Sequence, residues 1–491
     1  MLLQRLYDPR LAQASYLIGC GAAGEAVVID ANRDVDQYLH AAQALGLRIA
    51  HVTETHIHAD YVSGSRELAA RAGATLYLSD EGGPDWRYEF GRAAGAVLLH
   101  EGDELVVGSV RLRALHTPGH TPEHLSFLVT DGAAATEPIA AVTGDFVFVG
   151  DVGRPDLLER AVHRKGTMEQ AARTLFRSLH RFKSQPDYLQ IWPGHGAGSA
   201  CGKGMSAIPH STVGYERRFN WAFAVEDEDE FVRLVLAGQL EPPAYFGLMK
   251  RVNREGPPPL GGLPHPPRLP GSRLRSLLRS GAYVVDIRPA AEFAARHVPG
   301  TLNLPLTRSF TLWAGSLLPY DRELYLLTAG PGEAQALEAA RDLSLIGLDR
   351  VAGSFGPEAL DAWTADGGSL GRSESVSAAA AADLASRGAT VLDVRSEAEW
   401  QAGHIPGARH VPLGFLSERL DELPPGRPLV VHCQGGGRSA IAASLLAASG
   451  VAGVVNLEGG FSEWTAAGFP VGRGARSSLA DIVTGPASER T

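Results

Sequence analysis

The stretch "ETHIHADYVSGS", residues 54–65, alternates His56, His58 and Asp60 and places Tyr61 next in line. Imidazole nitrogens and carboxylate oxygens are ligands for zinc, manganese or iron. The same residue types recur downstream: His120 in "HTPGHTPEH", Asp145 in "VTGDFVF" and His195 in "WPGHGAG". Each follows an apolar run and sits among glycine or proline, so loops from separate strands can bring them to one sheet edge. Two histidines and one carboxylate leave positions open on iron(II), and open positions mean catalysis rather than structural support. A second set lies near the C-terminus, where Cys433 ends "PLVVHC" and is followed by Gln434, Gly435, Gly436, Gly437, Arg438 and Ser439 at the start of a helical run. Glycines let successive N–H groups turn inward as an anion cradle, and the helix N-terminus adds positive potential. Such a cradle stabilises a thiolate or persulfide, and Arg438 adds charge where the loop closes. Cys201 lies six residues after His195 and two before Lys203, a cation that would favour its thiolate, so it is a candidate redox or persulfide thiol.

These residues must be positioned by an α/β chain. Up to about residue 185, short strands and helices alternate: "SYLIGC" and "EAVVIDA" read as a hairpin, "DVDQYLHAAQALG" as an amphipathic helix and "RIAHVTET" as a buried strand leading into the His-rich turn. Further strands are predicted in "ATLYLS", "AVLLHEG", "ELVVGSVRLRALHT", "HLSFLVTD" and "PIAAVTGDFVF", and a helix in "TMEQAARTLFRSLHRFK" ahead of "YLQIWPGHG". At 255–271 the chain reads "EGPPPLGGLPHPPRLPG", too proline-dense for a helix or central strand, and is expected to be a linker. Beyond it "VVDIRPAAEFAARHVPGTLNLPL" (284–306) matches "VLDVRSEAEWQAGHIPGARHVPL" (391–413), pairing Asp286 with Asp393 and His297 with His404. One α/β module is therefore present twice. The first copy reads "YLLTAGPGEA" where the second reads "VVHCQGGGRS", so it lacks both Cys and Arg.

A length of 491 residues suggests about three domains. The net charge of -10 offers no basic field for a nucleic-acid backbone, which excludes that class of partner. No run of about 18 apolar residues is present, so no membrane span is expected. Three cysteines, spread along the chain, give no disulfide framework and fit a reducing cytoplasm.

Residues 1 to about 250 resemble the metallo-β-lactamase superfamily, and within it the persulfide dioxygenase branch; residues 375–475 resemble rhodaneses, on "DVRSEAEWQAGHIPGARHVPL", the Cys433 loop and "LEGGFSEWTAAGFPV". The resemblance implies an αββα sandwich followed by two α/β rhodanese modules: 1–254, a linker 255–271, an inactive copy 272–371, an active copy 372–478 and a tail 479–491. Hydrolytic relatives hold two metals and have histidine at the place of Tyr61. A phenol with an ordinary pKa near 10 is a weak ligand at neutral pH. The resemblance therefore implies one Fe(II) per chain on His56, His120 and Asp145. His58, Asp60, Tyr61 and His195 would then surround the site without ligating, and Arg154 of "GDVGRPDLL" would take a substrate carboxylate. It further implies oxidation of a thiol persulfide (glutathione, coenzyme A or similar) by O2 to sulfite, and transfer of sulfane sulfur through Cys433 to give thiosulfate, in a homo-oligomer. The alternative is a thioester hydrolase like glyoxalase II with an attached sulfurtransferase.

Overall fold

A computed structural model describes residues 1–157, 166–239, 241–424 and 428–474; the tail expected at 479–491 lies outside these. The chain divides into two compact units, Met1–Leu263 with Arg341–Asp349, and Pro264–Ala340 with Arg350–Thr491.

Strand β2 (Gln13–Cys20) is buried at every position, which follows from cover on both faces of its sheet. Tyr16, Ile18 and Cys20 face a core shared with a second sheet, while Leu17 faces helices. The first sheet runs β1 (Leu2–Asp8), β2, β3 (Glu25–Ile29), β4 (Arg48–Thr53), β5 (Thr75–Ser79), β6 (Val97–Leu99). The second runs β7 (Glu104–Val107), β8 (Val110–His116), β9 (Leu125–Asp131), β10 (Ala140–Gly144), β11 (Gln190–Pro193), β12 (Ser211–Thr212). Phe127, Val129, Val142 and Trp192 meet β2 and β3 in the central core. Each such side chain, fully buried, contributes about 1.5–3 kcal/mol. Helices α1 (Asp36–Ala44) and α2 (Ser65–Ala72) cover the first sheet, and α3 (Met168–Phe182) and α4 (Glu228–Leu236) the second. Helix α5 (Phe246–Glu255) follows. The layers are αββα, as the resemblance implied.

The second unit holds two parallel sheets. The first joins β13 (Tyr283–Asp286), β14 (Leu302–Asn303), β15 (Leu324–Leu327) and β16 (Val351–Phe355) in the order β14-β13-β15-β16. The other joins β17 (Glu374–Val376), β18 (Thr390–Asp393), β19 (Arg409–His410), β20 (Leu429–His432) and β21 (Val454–Leu457) in the order β19-β18-β20-β21-β17. The four shared strands follow one topology, which is the internal repeat expressed as structure. Helices α6 (Ala290–Ala295) and α7 (Ala334–Leu345) belong to the first repeat, and α8 (Glu397–Ala402) and α9 (Gly437–Ala448) to the second.

Two features cross the expected boundaries. The second half of the proline-rich stretch makes one isolated bridge to the edge strand β16: Ser354 N–H donates to Pro267 O at 2.9 Å and Leu269 N–H to Ser354 O at 2.8 Å. Proline is tolerated there because an edge strand has N–H groups that need no partner in the sheet. Residues Arg341–Asp349, inside the first repeat by sequence, group with the first unit. No helix among the described residues is long and apolar enough to cross a membrane.

Candidate metal centre and sulfur loop

His56 follows β4, His120 lies in the turn between β8 and β9, and Asp145 follows β10. Their ligand-type atoms lie within 4.8 Å of one another and all three residues are buried. The His56 and His120 Nε2 atoms stand 3.9 and 3.5 Å from Asp145 Oδ2. Each ring has its other nitrogen fixed. Thr55 Oγ1 donates to Asp30 Oδ2 at 2.9 Å, so it accepts from His56 Nδ1 at 2.9 Å. His120 Nδ1 donates to Arg154 O at 3.0 Å. Both Nε2 lone pairs are thereby turned inward, the arrangement that orients metal-ligating imidazoles. Burial holds both imidazoles neutral by lowering their pKa. Burial opposes the charge on Asp145, but His195, by its charge and its hydrogen bond, outweighs it and holds the carboxyl well below its usual range. Asp145 Oδ2 is buried without a hydrogen-bond partner. Two neutral imidazoles around an orphaned carboxylate oxygen fit a divalent metal ion.

The other sequence candidates fill the adjoining space. His195, after β11, is 2.7 Å from Asp145 Oδ1 through Nδ1 and 2.8 Å from Asp60 Oδ2 through Nε2. Burial disfavours its charge, yet Asp145 and Asp60 raise its pKa well above the ordinary value, so an imidazolium bridges two carboxylates. Cys201 gathers with Asp60 and His195 within the same 4.8 Å span. His58 turns its Nε2 to Asp30 Oδ1 at 3.1 Å; burial works against its charge, but Asp30, Glu54 and Asp60 lift it to about 9. The Tyr61 phenol lies on Asp30 O at 3.4 Å, and burial keeps it protonated.

One expectation is corrected. Lys203 does not activate Cys201: its Nζ donates to Leu234 O at 2.6 Å and Ala237 O at 2.9 Å, and burial with the charges of Asp145 and Asp60 pushes the thiol well up. Arg154 is fully buried, its guanidinium held by Asp156 at 2.7 and 2.8 Å and by Ala200 O at 3.0 Å. Its carbonyl accepts from His120 Nδ1.

Several supporting residues escaped sequence reading. Asp30, at φ 58°, accepts from Thr55 N at 2.6 Å and so anchors the His-rich turn. His124 accepts from Asp145 N–H at 3.1 Å, and Gly144, at φ 48°, leaves the room this needs, since a side chain there would strike Thr55 and His124. Asn253 on α5 donates to His58 O at 2.8 Å and Tyr61 O at 2.7 Å. His124 stood in a motif already rich in candidates; Asp30 and Asn253 carry no local signal.

In the sulfur loop, Gly436 N–H donates to Cys433 Sγ at 3.1 Å and Ser439 Oγ lies 3.4 Å from it. Gly436, at φ 95°, is the N-cap of α9. Gly435 and Gly437 are exposed and have open space where a Cβ would stand. Gln434 is drawn aside by Arg395 at 3.2 Å and Ser462 at 2.9 Å. Arg438 makes a bidentate pair with Glu399 at 2.6 and 2.7 Å. Burial disfavours the Glu399 charge, but the hydrogen bonds from Arg438 and Ser396 N–H hold its carboxyl down at about 2. Glu399 also closes the capping box of α8, so one carboxylate ties that helix to the sulfur loop.

The metallo-beta-lactamase superfamily profile matches residues 8–195, and the rhodanese-like domain profile matches 377–467, the second repeat. A probable metallo-hydrolase of Burkholderia pseudomallei is 30% identical over 225 residues, 40% of this chain and 72% of that protein. The chain belongs to the metallo-β-lactamase superfamily and carries a rhodanese-like domain after its metallo-β-lactamase sandwich. The mitochondrial persulfide dioxygenase of Bos taurus is 28% identical over 244 residues, 48% of this chain and 80% of that one. The crystal structure of a metallo-beta-lactamase from Staphylococcus aureus subsp. aureus COL is 41% identical, covering 72% of this chain and 99% of that one, with a TM-score of 0.67.

Proposed function

We propose that the chain oxidises a low-molecular-weight thiol persulfide with O2 to sulfite and passes sulfane sulfur through Cys433 to make thiosulfate. The observation that carries this reading is the donor set: His56, His120 and Asp145 converge, while the adjoining space is filled by His195 between Asp60 and Asp145 and by the protonated Tyr61. On this reading one ion would sit on two histidines and one carboxylate, and Asp60, His195 and Cys201, the second group whose ligand atoms converge, would position Asp145. Iron(II) on such a set would supply the one-electron chemistry that lets O2 react with a closed-shell sulfur.

The protein's own part is positional. Thr55 and Arg154 O fix the two imidazoles, and His195 holds Asp145 by Oδ1 so that Oδ2 stays on the metal side. The net reaction is RSSH + O2 + H2O → RSH + SO3²⁻ + 2H⁺. At the second site the Cys433 thiolate attacks the outer sulfur of a second RSSH, RSH leaves, and sulfite removes that sulfur as S2O3²⁻, restoring Cys433. Gly436 N–H and Arg438 stand where the sulfur anion needs a partner. The thiol carrier would be glutathione, coenzyme A or a similar small thiol, and the protein a cytoplasmic homo-oligomer. On this reading residues 1–254 oxidise, 272–371 form a Cys-less rhodanese-like copy, and 372–478 carry sulfur.

The metallo-hydrolase likeness favours one other reading, thioester cleavage by a metal-bound hydroxide. Metal analysis of anaerobically prepared protein separates the two. One iron per chain with persulfide-dependent O2 uptake, lost in His120→Ala, is expected; two zincs with thioester cleavage would overturn the proposal.

A further inference from the structure

The His-rich turn is held from a second side by a distant part of the chain. Residues Arg341–Asp349 belong to the first unit although the repeat places them in the Cys-less copy. Four ion pairs seat the segment, with charge exchanged in both directions. Arg341 reaches Asp8 at 2.8 Å and Asp34 at 2.7 Å, while Asp342 receives Arg10 at 3.0 Å and Asp349 receives Arg33 at 2.7 Å. Arg33 is only 3% exposed and also donates to Pro258 O at 2.9 Å. Pairs of alternating sense fix one register, because a slip would set like charges together.

The seated segment delivers one backbone group to the metal side. Leu345 O accepts from Val62 N–H at 2.7 Å, two residues beyond Asp60. Asn253 takes the neighbouring groups of the same turn: His58 O, Tyr61 O and, at 2.9 Å, Ser63 N–H. Asp60 sits on this turn, bonds His195, and His195 bonds Asp145. A continuous chain of hydrogen bonds and short backbone therefore runs Leu345, Val62, Asp60, His195, Asp145.

We propose that Arg341–Asp349 is a positioning element of the metal centre, which holds the turn so that Asp60 and His195 keep Asp145 Oδ2 facing His56 and His120. The proposal rests on the reading that His56, His120 and Asp145 hold a metal, and not on which substrate is oxidised. It gives a stretch of the Cys-less copy a use that needs no sulfur chemistry.

The test uses the full chain with cobalt(II) as the probe, reading its affinity and its visible d–d bands. Arg341→Ala with Asp349→Ala is expected to weaken cobalt binding about tenfold or more, as loss of outer partners of metal ligands does, and to shift the bands. Sulfur transfer at Cys433 is expected to stay at the wild-type level. Asp349→Glu, which keeps the charge, restores affinity to within about twofold of wild type if the role is positional. The milder Asp349→Asn covers the case in which the double variant does not fold, and is expected to shift the bands in the same direction. Unchanged affinity and bands in folded Asp349→Asn would overturn the proposal, as would parallel loss of Cys433 activity. His120→Ala in the same titration separates the two levels of inference: if it leaves the bands intact, the metal reading itself has failed.

Discussion

The two α/β repeats of the second unit keep the same frame and differ at one loop. In each, an aspartate ending the first long strand pairs with an arginine two residues on, Asp286–Arg288 and Asp393–Arg395, both at 2.6 Å. In each, a buried histidine gives Nδ1 to the carbonyl four residues back and stacks on that residue's ring: His297 on Phe293 at 4.0 Å, His404 on Trp400 at 3.8 Å. Then they part. Thr328 follows β15 where Cys433 follows β20, and Glu333 stands in the sequence where Arg438 does. In the first repeat Gln335 Oε1 accepts from Ala329 N–H at 3.0 Å and Gly330 N–H at 3.1 Å, so a carboxamide oxygen occupies N–H groups that an anion would use. In the second, Gly436 N–H points at the Cys433 sulfur. The difference teaches that burial and the Asp–Arg pair maintain the module without its chemistry, which resides in a loop that the core does not need.

The comparison breaks most sharply at the sulfur. Cys433→Ser is expected to abolish sulfur transfer in a thiosulfate-donor assay, and adding Thr328→Cys is expected to restore none of it, because Gln335 still occupies N–H groups of the first loop and Glu333 stands in the sequence where Arg438 does. Activity in that double variant would mean that the two loops are equivalent. Next come the shared supports. Trp400→Ala and Phe293→Ala should each cost about 3–5 kcal/mol in denaturant unfolding, as emptied aromatic core sites do; a large cost in one repeat alone would show that the frames are not equivalent.

The smallest effect is the ion pair that only the second repeat has. The Glu399 carboxyl is held at about 2 against 4.5 unfolded, so its contribution is complete above about pH 4.5 and is lost as pH falls through about 2. Because Glu399 is only half-buried, the contribution is about 1 kcal/mol after solvent screening. Glu399→Gln should flatten that acid limb in urea titrations and slow sulfur transfer by about tenfold, the scale of one charge-assisted hydrogen bond. An unchanged acid limb would remove Glu399 from the account.

The sequence made the ligand-bearing turns legible because each follows an apolar strand and carries its chemistry locally, as "HIHAD" and "TGD" do. Most strands were legible for the same reason, as apolar runs of the right length, whereas the αββα order came from the family resemblance. What stayed hidden was long-range. Asp30, Asn253 and the segment Arg341–Asp349 support the metal turn across 25 to nearly 300 residues of chain, and no spacing rule announces such contacts. Lys203 misled in the opposite direction. A charge looks available in a sequence, whereas the carbonyls of Leu234 and Ala237 had already engaged it. The edge pairing of Pro267 and Leu269 was hidden by proline density, which marks a chain unfit for a sheet interior and says less about an edge.

The central claim is that one chain makes sulfite at the metal centre and consumes it at Cys433. The most direct measurement gives Cys433→Ser a thiol persulfide and O2, and quantifies oxygen uptake together with the sulfur products. Undiminished O2 uptake with sulfite accumulating in place of thiosulfate is the predicted result; thiosulfate at the wild-type level would contradict it.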